Sequence, residues 1–233
     1  MQKNDGKDYI YVIWKEPKTR RQYTIGELVK NGCYQFSYGY EVEQAIAEGF
    51  KGFICFDNFE KTYYSDVLFP AFSSRLPDKR RRGIERILKR YGLDEYDAYE
   101  LLKRSGAKLP TDNYEFIDPL PEEIKDCEIE RYFYIAGPRH YIGCKGIECN
   151  NSIDINIKDE LNLVLECDNK FVEYAIKVYD NRQNHIGYIP RYYSKSLTKY
   201  IKSGYKYYCN VHIVNKDNNC NECIKAKVII KYN

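Results

Sequence analysis

The stretch Tyr134-Ile-Ala-Gly-Pro-Arg139-His140-Tyr141 decides the fold predicted for the second half of this chain. Two further motifs follow it, Asn169-Lys-Phe171-Val-Glu-Tyr-Ala-Ile-Lys177-Val178 and His185-Ile-Gly187-Tyr188-Ile-Pro-Arg191-Tyr192. In order, they are an aromatic and basic turn, an Asn loop that leads into a strand, and a strand that ends in Gly-aromatic-Ile-Pro-Arg. Short strands separated by Gly, Pro and Asn turns indicate a β-rich module.

Strand-like segments surround these motifs from residue 129 onward. We predict strands at 131–136, 153–157, 160–166, 173–179, 185–189, 206–214 and 224–231. One helix interrupts them, because apolar residues recur at helical spacing. Its apolar stripe is Tyr193, Leu197, Tyr200 and Ile201.

The first half mixes strands and helices. We predict strands at 9–14, 21–29 and 34–38 and helices at 41–48, 79–91 and 95–104. Pro-containing segments at 109–112 and 118–121 then mark a boundary. The fold class is therefore α+β, with an N-terminal domain at 1–120 and a C-terminal domain at 121–233.

Composition limits the protein class. Hydrophobic residues are 43% of the 233 residues and charged residues are 30%, a normal balance for a soluble globular protein. No apolar run reaches the roughly 20 residues that cross a bilayer, and the polar N-terminus has no signal-peptide core. We therefore expect a cytoplasmic protein, in which most of the nine cysteines are small buried hydrophobes or idle thiols.

The charge of the chain is unevenly distributed. The net charge is only +3, but residues 121–168 hold 5 basic and 11 acidic side chains, whereas residues 170–206 hold 8 and 2. This places a basic strip in the C-terminal domain, although solvated faces often have such excesses. The 25 tyrosines have two interpretations, as platforms for stacking bases or as the result of an AT-rich coding sequence.

The three opening motifs resemble a HIRAN domain, a small β-rich module of DNA-repair and chromatin-remodelling proteins. The resemblance implies a β-barrel with one or two helices that recognises single-stranded DNA or a free 3′ end. Stacking on aromatic side chains tolerates any sequence, so such a pocket reads an end rather than a base motif. The implied DNA-binding residues are Arg139, His140, Tyr141, Asn169, Phe171, Tyr188, Arg191, Tyr192 and Lys195.

The resemblance also implies individual roles. His140 and Tyr141 take the positions of the aromatic pair, and Phe171 takes that of the loop Tyr. Val172 stands where the family has an Asp that holds the 3′ hydroxyl, and valine cannot accept that bond. The pattern therefore favours nucleic-acid binding over 3′-end selectivity. Phe171 and Tyr188 have an alternative role as core aromatics.

Residues 12–105 resemble the N-terminal subdomain of HipA-type kinases, the toxins of a bacterial toxin–antitoxin system. The matching motifs include Tyr34-Gln-Phe36-Ser-Tyr38, Ser65-Asp-Val-Leu68-Phe-Pro-Ala-Phe72 and Arg75-Leu-Pro77-Asp78. The chain has no Gly-rich phosphate loop and no His-Arg-Asp-like catalytic loop. We therefore expect no enzyme activity and no catalytic residue. The subdomain is then a scaffold, or an antitoxin-like module that binds a separate kinase.

Three further features have competing interpretations. The run Lys79-Arg-Arg-Arg82 at a predicted helix start is either a contact for phosphate or an acidic protein, or a solvated helix start. His212 lies in a strand pattern and is predicted to be a packed side chain. Two cysteine pairs have spacings that permit zinc, although a hairpin loop explains the second pair, so we predict no metal and no cofactor. The pairs are Cys144 with Cys149 and Cys220 with Cys223.

The sequence thus predicts a non-enzymatic, nucleic-acid-binding adaptor of bacterial type, which senses single-stranded DNA or DNA ends through its C-terminal domain. The N-terminal domain would contact a protein partner. The alternative is an antitoxin-like regulator that binds a HipA-type kinase and has no DNA role.

Overall fold

The computed structural model describes residues 8–121, 128–142, 154–169, 173–215 and 222–231. The chain divides into two compact units, Met1–Pro119 and Leu120–Asn233, called here the first and second units. Both contain sheets and helices, so the chain has the α+β class predicted from its sequence. Among the described residues, no helix is long and apolar enough to cross a membrane.

The first unit is built on one antiparallel sheet in the strand order β4-β3-β2-β1-β5. The strands are β1 Asp8–Lys15, β2 Gln22–Asn31, β3 Cys33–Tyr38, β4 Tyr63–Ser65 and β5 Tyr114–Ile117. The β1–β2 turn is closed by the carboxylate of Glu16, which accepts bonds from the Lys18 amide at 2.9 Å and the Thr19 hydroxyl at 2.6 Å. Polar residues that hydrogen-bond their own backbone are typical of such turns.

Four helices accompany this sheet within residues 8–119. They are α1 Val42–Ala47, α2 Pro70–Ser73, α3 Ile84–Arg90 and α4 Ala98–Ser105. Helix α4 has a clear start and stop. The Asp97 carboxylate accepts bonds from the Tyr99 and Glu100 amides at 2.8 and 3.0 Å, and Gly106 takes a left-handed conformation with φ +70°. These are the helix caps that the residue types favour.

Phenylalanine dominates the core of the first unit. Phe36 and Phe72 are fully buried, and their ring centroids lie 5.3 Å apart. Phe56 lies 4.5 Å from Phe36, and Phe116 on β5 lies 5.1 Å from Phe72. Edge-to-face and tilted aromatic pairs at such distances add to the free energy of burial. Strand β5 is therefore part of this core.

The structure corrects two sequence predictions in the first unit. Helix α3 begins at Ile84 rather than near residue 79, because Gly83 before it has φ +80° and Asp78 organises a turn. The Asp78 carboxylate accepts a hydrogen bond from the Arg80 amide at 2.7 Å, so the arginine run forms a turn before the helix rather than its first turn. An unpredicted edge strand, β5, lies between the two predicted boundary segments and pairs with β1.

The described residues of the second unit form two three-stranded antiparallel sheets, with strand orders β10-β11-β6 and β7-β8-β9. Its elements are β6 Glu128–Tyr134, β7 Asn162–Leu165, β8 Ile176–Tyr179, β9 His185–Tyr188, α5 Arg191–Lys202, β10 Lys206–Val214 and β11 Ile224–Lys231. Strands β10 and β11 match the predicted bounds, whereas residues 154–156 form no strand. The described strands form no closed barrel, so the barrel part of the prediction needs correction. Single β-bridges at Ala136–Tyr188 and Glu160–Asn210 connect the elements instead.

Candidate nucleic-acid interface

The chain after β6 crosses from one sheet of the second unit to the other. Ile135 donates its amide to the Ile224 carbonyl at 3.1 Å, and Ala136 then pairs with Tyr188 through two backbone bonds of 2.8 and 2.9 Å. This crossing requires a glycine at position 187, whose φ is +142°. A Cβ there would lie 2.6 Å from Ile135 Cγ2 and 2.7 Å from the Ala136 carbonyl oxygen. The glycine of the third motif thus permits two backbones to meet.

A short 3-10 turn, Pro138–His140, follows the crossing. Gly137 before it is left-handed with φ +68°, and the Tyr141 amide closes the turn on the Pro138 carbonyl at 2.9 Å. The turn brings Tyr141 onto strand β9. Its ring centroid lies 4.0 Å from that of His185 and 5.8 Å from that of Tyr188. The first and third sequence motifs therefore meet in space.

We call Tyr141, Tyr179, His185 and Tyr188 the aromatic cluster. The centroids of His185 and Tyr188 lie 5.0 Å apart, and Tyr179 lies 5.3 Å from His185. Tyr141 has 43% of its surface exposed, whereas the other three are partly buried. A register shift between Val178 and Tyr179 breaks the regular pairing of β8 with β9 and bends the sheet at this point.

A carboxylate joins the loop Asn of the second motif to this cluster. Glu166, directly after β7, accepts bonds at Oε2 from the Asn169 amide at 2.6 Å and from the Tyr188 hydroxyl at 3.0 Å. Its Oε1 pairs with Lys177 Nζ at 2.7 Å. These donors, Lys177 first, lower the pKa of Glu166, and Glu166 in turn raises the pKa of Lys177. The carboxylate is therefore neutralised and nearly saturated, since a carboxylate has about four acceptor positions.

Two rings of the cluster, His185 and Tyr188, stay uncharged at neutral pH. Burial raises the pKa of Tyr188, and the hydrogen bonds to Tyr141 and Glu166 raise it further. Burial lowers the pKa of His185 below 6.5, and the charge of Lys177 adds to the decrease. His185 Nε2 lies 3.0 Å from the Gly187 carbonyl, which can only accept, so this nitrogen carries the proton. The surface consequently offers flat, neutral rings with polar edges.

The structure brings some of the residues predicted as DNA-binding together. Tyr141 and Tyr188 lie in the aromatic cluster, and Asn169 is joined to it through Glu166. Arg139 and His140 lie on the adjoining turn, are exposed, and are joined by a bond from Arg139 Nε to His140 Nε2 of 3.1 Å.

The other predicted residues lie on helix α5 or outside the described ranges. Arg191, Tyr192 and Lys195 lie on the first turns of α5, where the Lys195 ammonium is 5.9 Å from the Tyr174 ring. Phe171 lies outside the described residues, as does Val172.

Sequence reasoning missed His185, Lys177 and Glu166 as members of this site. The first two stood inside the quoted motifs, but simple strand alternation places positions 185 and 188 on opposite faces. The unusual backbone at Gly187 and the shifted register bring both rings to Tyr141. The pairing of Glu166 with Lys177 follows from the β7–β8 register, which a single sequence does not reveal.

The cysteines proposed for zinc lie mostly outside the described residues. Cys144, Cys149 and Cys220 fall there, and Cys223 is buried. Within the described ranges, no three His, Cys, Asp or Glu side chains come together as a metal site would require.

Family comparisons agree with both resemblances in the sequence. The HipA N-terminal domain model matches residues 20–110, and the HIRAN domain model matches residues 130–233, a range that includes the whole aromatic cluster.

Two solved structures are similar to part of the chain at low identity. The HIRAN domain of human HLTF shares 14% identity, with 46% of this chain and 81% of that chain covered and a TM-score of 0.35. A structural-genomics protein from Lactobacillus plantarum also shares 14%, with 45% and 97% covered and a TM-score of 0.34. No curated protein matches the chain. The chain thus joins a segment that matches the HipA N-terminal domain to one that matches the HIRAN domain.

Proposed function

We propose that the second unit binds single-stranded nucleic acid, with single-stranded DNA as the first candidate, and that the protein acts as a non-enzymatic adaptor. The observation that carries the proposal is the aromatic cluster, in which Tyr141 lies 4.0 Å from His185 and stays 43% exposed. The cluster lies within the range that matches the HIRAN domain. An accessible aromatic ring next to uncharged polar rings is a surface on which bases stack.

The charges around the cluster suit a phosphate backbone at its edge. Arg139 is exposed on the adjoining turn, and Lys177 neutralises Glu166, the carboxylate that contacts Tyr188. Phosphate contacts by such cations give affinity without sequence preference and weaken with salt. Stacking supplies about 1–3 kcal/mol per base, which corresponds to roughly 5- to 150-fold in Kd. Stacking therefore supplies a large share of the expected affinity.

Recognition of a 3′ end is a finer proposal, because a terminal hydroxyl needs an acceptor. The carboxylate that contacts the cluster is Glu166, and three donors already occupy it. End capture would have to use its remaining acceptor position or displace Asn169. Binding of a single strand without recognition of its end needs neither of these changes. The structure therefore supports general single-strand binding better than it supports end capture.

Fluorescence anisotropy tests both forms. Labelled single strands with free and with blocked 3′ ends, and a duplex, are titrated with the protein at two salt concentrations. We expect salt-dependent binding of the single strands, about tenfold weaker binding by Tyr141→Ala, and near wild-type binding by Tyr141→Phe. Tyr64→Ala is the matched control, since Tyr64 is 65% exposed in the first unit.

Each outcome of this titration has one meaning. A drop on blocking the 3′ end supports end capture, and equal binding of free and blocked strands leaves only general single-strand binding. If the wild-type protein binds no probe at low salt, or Tyr141→Ala binds as well as the wild type, the aromatic cluster is not the binding surface.

A second candidate function, binding of a protein through the first unit, rests on the match of residues 20–110 to the HipA N-terminal domain. The turn Lys79–Arg82 adds to it, since its four basic side chains are exposed and the ion pair to Asp78 involves Arg80. A HipA-type kinase core is the partner to try by titration calorimetry. Loss of binding on reversing Arg81 and Arg82 to Glu, with Tyr141→Ala unaffected, would favour an antitoxin-like role. Absence of heat with the kinase core would remove it.

A further inference from the structure

The sheet β10-β11-β6 has one buried face and one open face. Phe133 on β6 points inward, where its ring lies 6.1 Å from that of Tyr193 on α5. Its neighbour Tyr132 points to the other side and is 39% exposed. Because side chains alternate along a strand, the pairing register defines the open face. We call this face the outer sheet face, and the residues on it that matter here are Tyr132, Tyr208, Lys225, Lys227 and Lys231.

Aromatic rings and lysines alternate across the outer sheet face. Lys225 Nζ lies 5.7 Å from the centroid of Tyr132, and Lys227 Nζ lies 5.8 Å from the same ring. Lys231 Nζ lies 5.6 Å from the centroid of Tyr208, which is 54% exposed. These are cation–π distances. Three strands thus present rings and ammonium groups side by side.

His212 joins this array, which corrects its sequence interpretation as a packed side chain. It is exposed, and its ring centroid lies 4.6 Å from that of Tyr132. The pair extends the aromatic area from β6 on one edge of the sheet to β10 on the other. The outer sheet face therefore has aromatic platforms on both edge strands.

The cations of this face outnumber its carboxylates. Glu130 pairs with Lys227 at 2.5 Å, and Glu128 pairs with Lys231 at 2.9 Å. Lys225 has no carboxylate partner within the part of the chain that the structure describes. It is half-buried, and this burial lowers its pKa. A partly desolvated cation without a counter-ion costs free energy that an external anion would recover.

Ordinary structural reasons do not account for the positions of these lysines. Lysines often protect the edge strands of a sheet against unwanted pairing. Lys225, Lys227 and Lys231, however, all lie on β11, which is the central strand. Exposure to solvent explains why this face carries polar residues, but it does not explain why aromatic rings lie next to the lysines. Proteins that bind single-stranded nucleic acid combine aromatic rings, on which bases stack, with cations that contact phosphates. Both kinds of side chain lie on this sheet face.

We propose that the outer sheet face is a second binding surface for single-stranded nucleic acid, which stacks bases on Tyr208 and on the Tyr132–His212 pair and holds phosphates with Lys225. It is separate from the aromatic cluster, and it depends on the proposed function only for the class of ligand. This surface does not need the end of a nucleic-acid strand, because the nucleic acid would lie along an open sheet face. The second unit would then bind a long single-stranded nucleic acid at two places.

The test uses the full chain with labelled oligo-dT of 6 and of 20 nucleotides, the longer one blocked at its 3′ end. The outer-face variant is Tyr132→Ser with Tyr208→Ser, and the cluster variant is Tyr141→Ala. Lys199→Gln with Lys202→Gln is the charge control, since both lysines are exposed on α5, which packs on the opposite face. We expect the outer-face variant to lose about tenfold or more on the 20-mer, with the 6-mer little changed. The control should bind both probes as the wild type does.

Two further variants separate a binding defect from a folding defect. Lys225→Gln keeps both rings and should reduce the slope of log K against log salt by about 0.7, the value for one phosphate contact on a single strand. Glu128→Gln with Glu130→Gln frees Lys227 and Lys231 and should tighten binding of the 20-mer. A gain of affinity cannot come from unfolding.

The outcomes distinguish the two surfaces. If Tyr141→Ala abolishes all binding of the 20-mer, or the outer-face variant binds it as tightly as the wild type, the outer sheet face is not a binding surface. If Tyr141→Ala binds normally and the outer-face variant does not, the outer sheet face stands and the aromatic cluster falls. If the wild type binds neither probe at low salt, both proposals are wrong.

Discussion

Phe36 and Phe72 in the first unit are fully buried, whereas Tyr141 in the second unit has 43% of its surface exposed. Both regions are aromatic clusters with centroids at comparable distances, 5.3 Å for the Phe pair and 4.0 Å for Tyr141 with His185. The difference lies in the edges of the rings. The Phe rings have no polar atom. In the second unit the Tyr188 hydroxyl donates a hydrogen bond to Glu166, and His185 Nε2 donates one to the Gly187 carbonyl. Ring proximity alone therefore does not separate a core from a binding surface.

The largest effect that would test this comparison is the loss of a core ring. Phe72→Ala should lower the free energy of unfolding of the first unit by about 3–5 kcal/mol, because it removes a buried ring and leaves a cavity. Trp14 is the single tryptophan and is 6% exposed, so its fluorescence reports unfolding of this unit during a urea titration. Ile54→Ala, at a fully exposed position in the same unit, should change stability by less than about 0.5 kcal/mol.

A small effect of Phe72→Ala would contradict the assignment of the Phe cluster as the core. In that case the two aromatic regions would not differ in the way that burial indicates, and the first unit would have to be held together mainly by its backbone pairing.

The second effect concerns the backbone crossing beneath the aromatic cluster. Gly187→Ala would place a Cβ 2.6 Å from Ile135 Cγ2 in a backbone conformation with φ +142°. Strain and overpacking should together destabilise the second unit by about 2–4 kcal/mol. Gly204→Ala is the matched control, since Gly204 also has positive φ, at +78°, but has open space around its Cα. It should cost about 1–2 kcal/mol, the penalty for a residue with a Cβ in a left-handed conformation.

Circular dichroism during urea unfolding measures this second pair of variants. The unfolding of the first unit, followed by Trp14 fluorescence, should stay unchanged in both. Equal losses for Gly187→Ala and Gly204→Ala would mean that only the backbone conformation matters, and that the close approach to Ile135 does not hold the crossing in place.

Much of the fold could be predicted from the sequence. The pattern of turns and strands predicted most elements, and the motif containing Gly187 pointed to the correct family resemblance. Strand β5 was missed because Pro119 and Pro121 nearby favour a linker, whereas its pairing with β1 depends on long-range contacts. The start of α3 was misplaced because Asp78 and Gly83 form a turn that helical periodicity does not show.

The site was predicted less completely than the fold. Tyr141, Asn169 and Tyr188 were selected because they matched a family pattern, and the structure places Asn169 and Tyr188 on one carboxylate and the Tyr141 ring beside Tyr188. That carboxylate, Glu166, has no local signal, since its partners Lys177 and Tyr188 are distant in sequence. A single sequence therefore does not predict the site residues that are joined only by hydrogen bonds and ion pairs between strands.

The third prediction tests this network by removing its charge. Glu166→Gln should release Lys177 for a phosphate contact while the amide oxygen still accepts from Tyr188. We expect binding of a single strand to tighten by about 2- to 5-fold at low salt, with a salt slope steeper by about 0.7. Glu160→Gln, an exposed position in the same unit, makes the same change in charge away from Tyr188 and controls for net charge. Weaker binding by Glu166→Gln would mean that the carboxylate itself contacts the ligand.

The smallest expected effect is a dependence on pH that belongs to the second unit. Burial and the nearby charge of Lys177 lower the pKa of His185 below its ordinary value of 6.5. At a pH between the pKa of His185 in the folded state and its value of 6.5 in the unfolded chain, the unfolded chain binds a proton that the folded chain does not. The stability of the second unit should therefore fall as the pH drops through 6.5, with the loss complete below the pKa of the folded state.

A ¹H NMR titration of the His185 ring checks this sign, because its midpoint should lie below 6.5. His185→Gln should remove this part of the pH dependence, whereas the contribution of Glu166 is lost in a separate range. The pKa of that carboxylate is lowered from 4.5, so its stabilisation is present above 4.5 and is lost only as the pH falls through its lower folded value. A midpoint at or above 6.5 would mean that burial against Tyr141 does not disfavour the charged ring, and His185 would then be partly protonated near neutral pH.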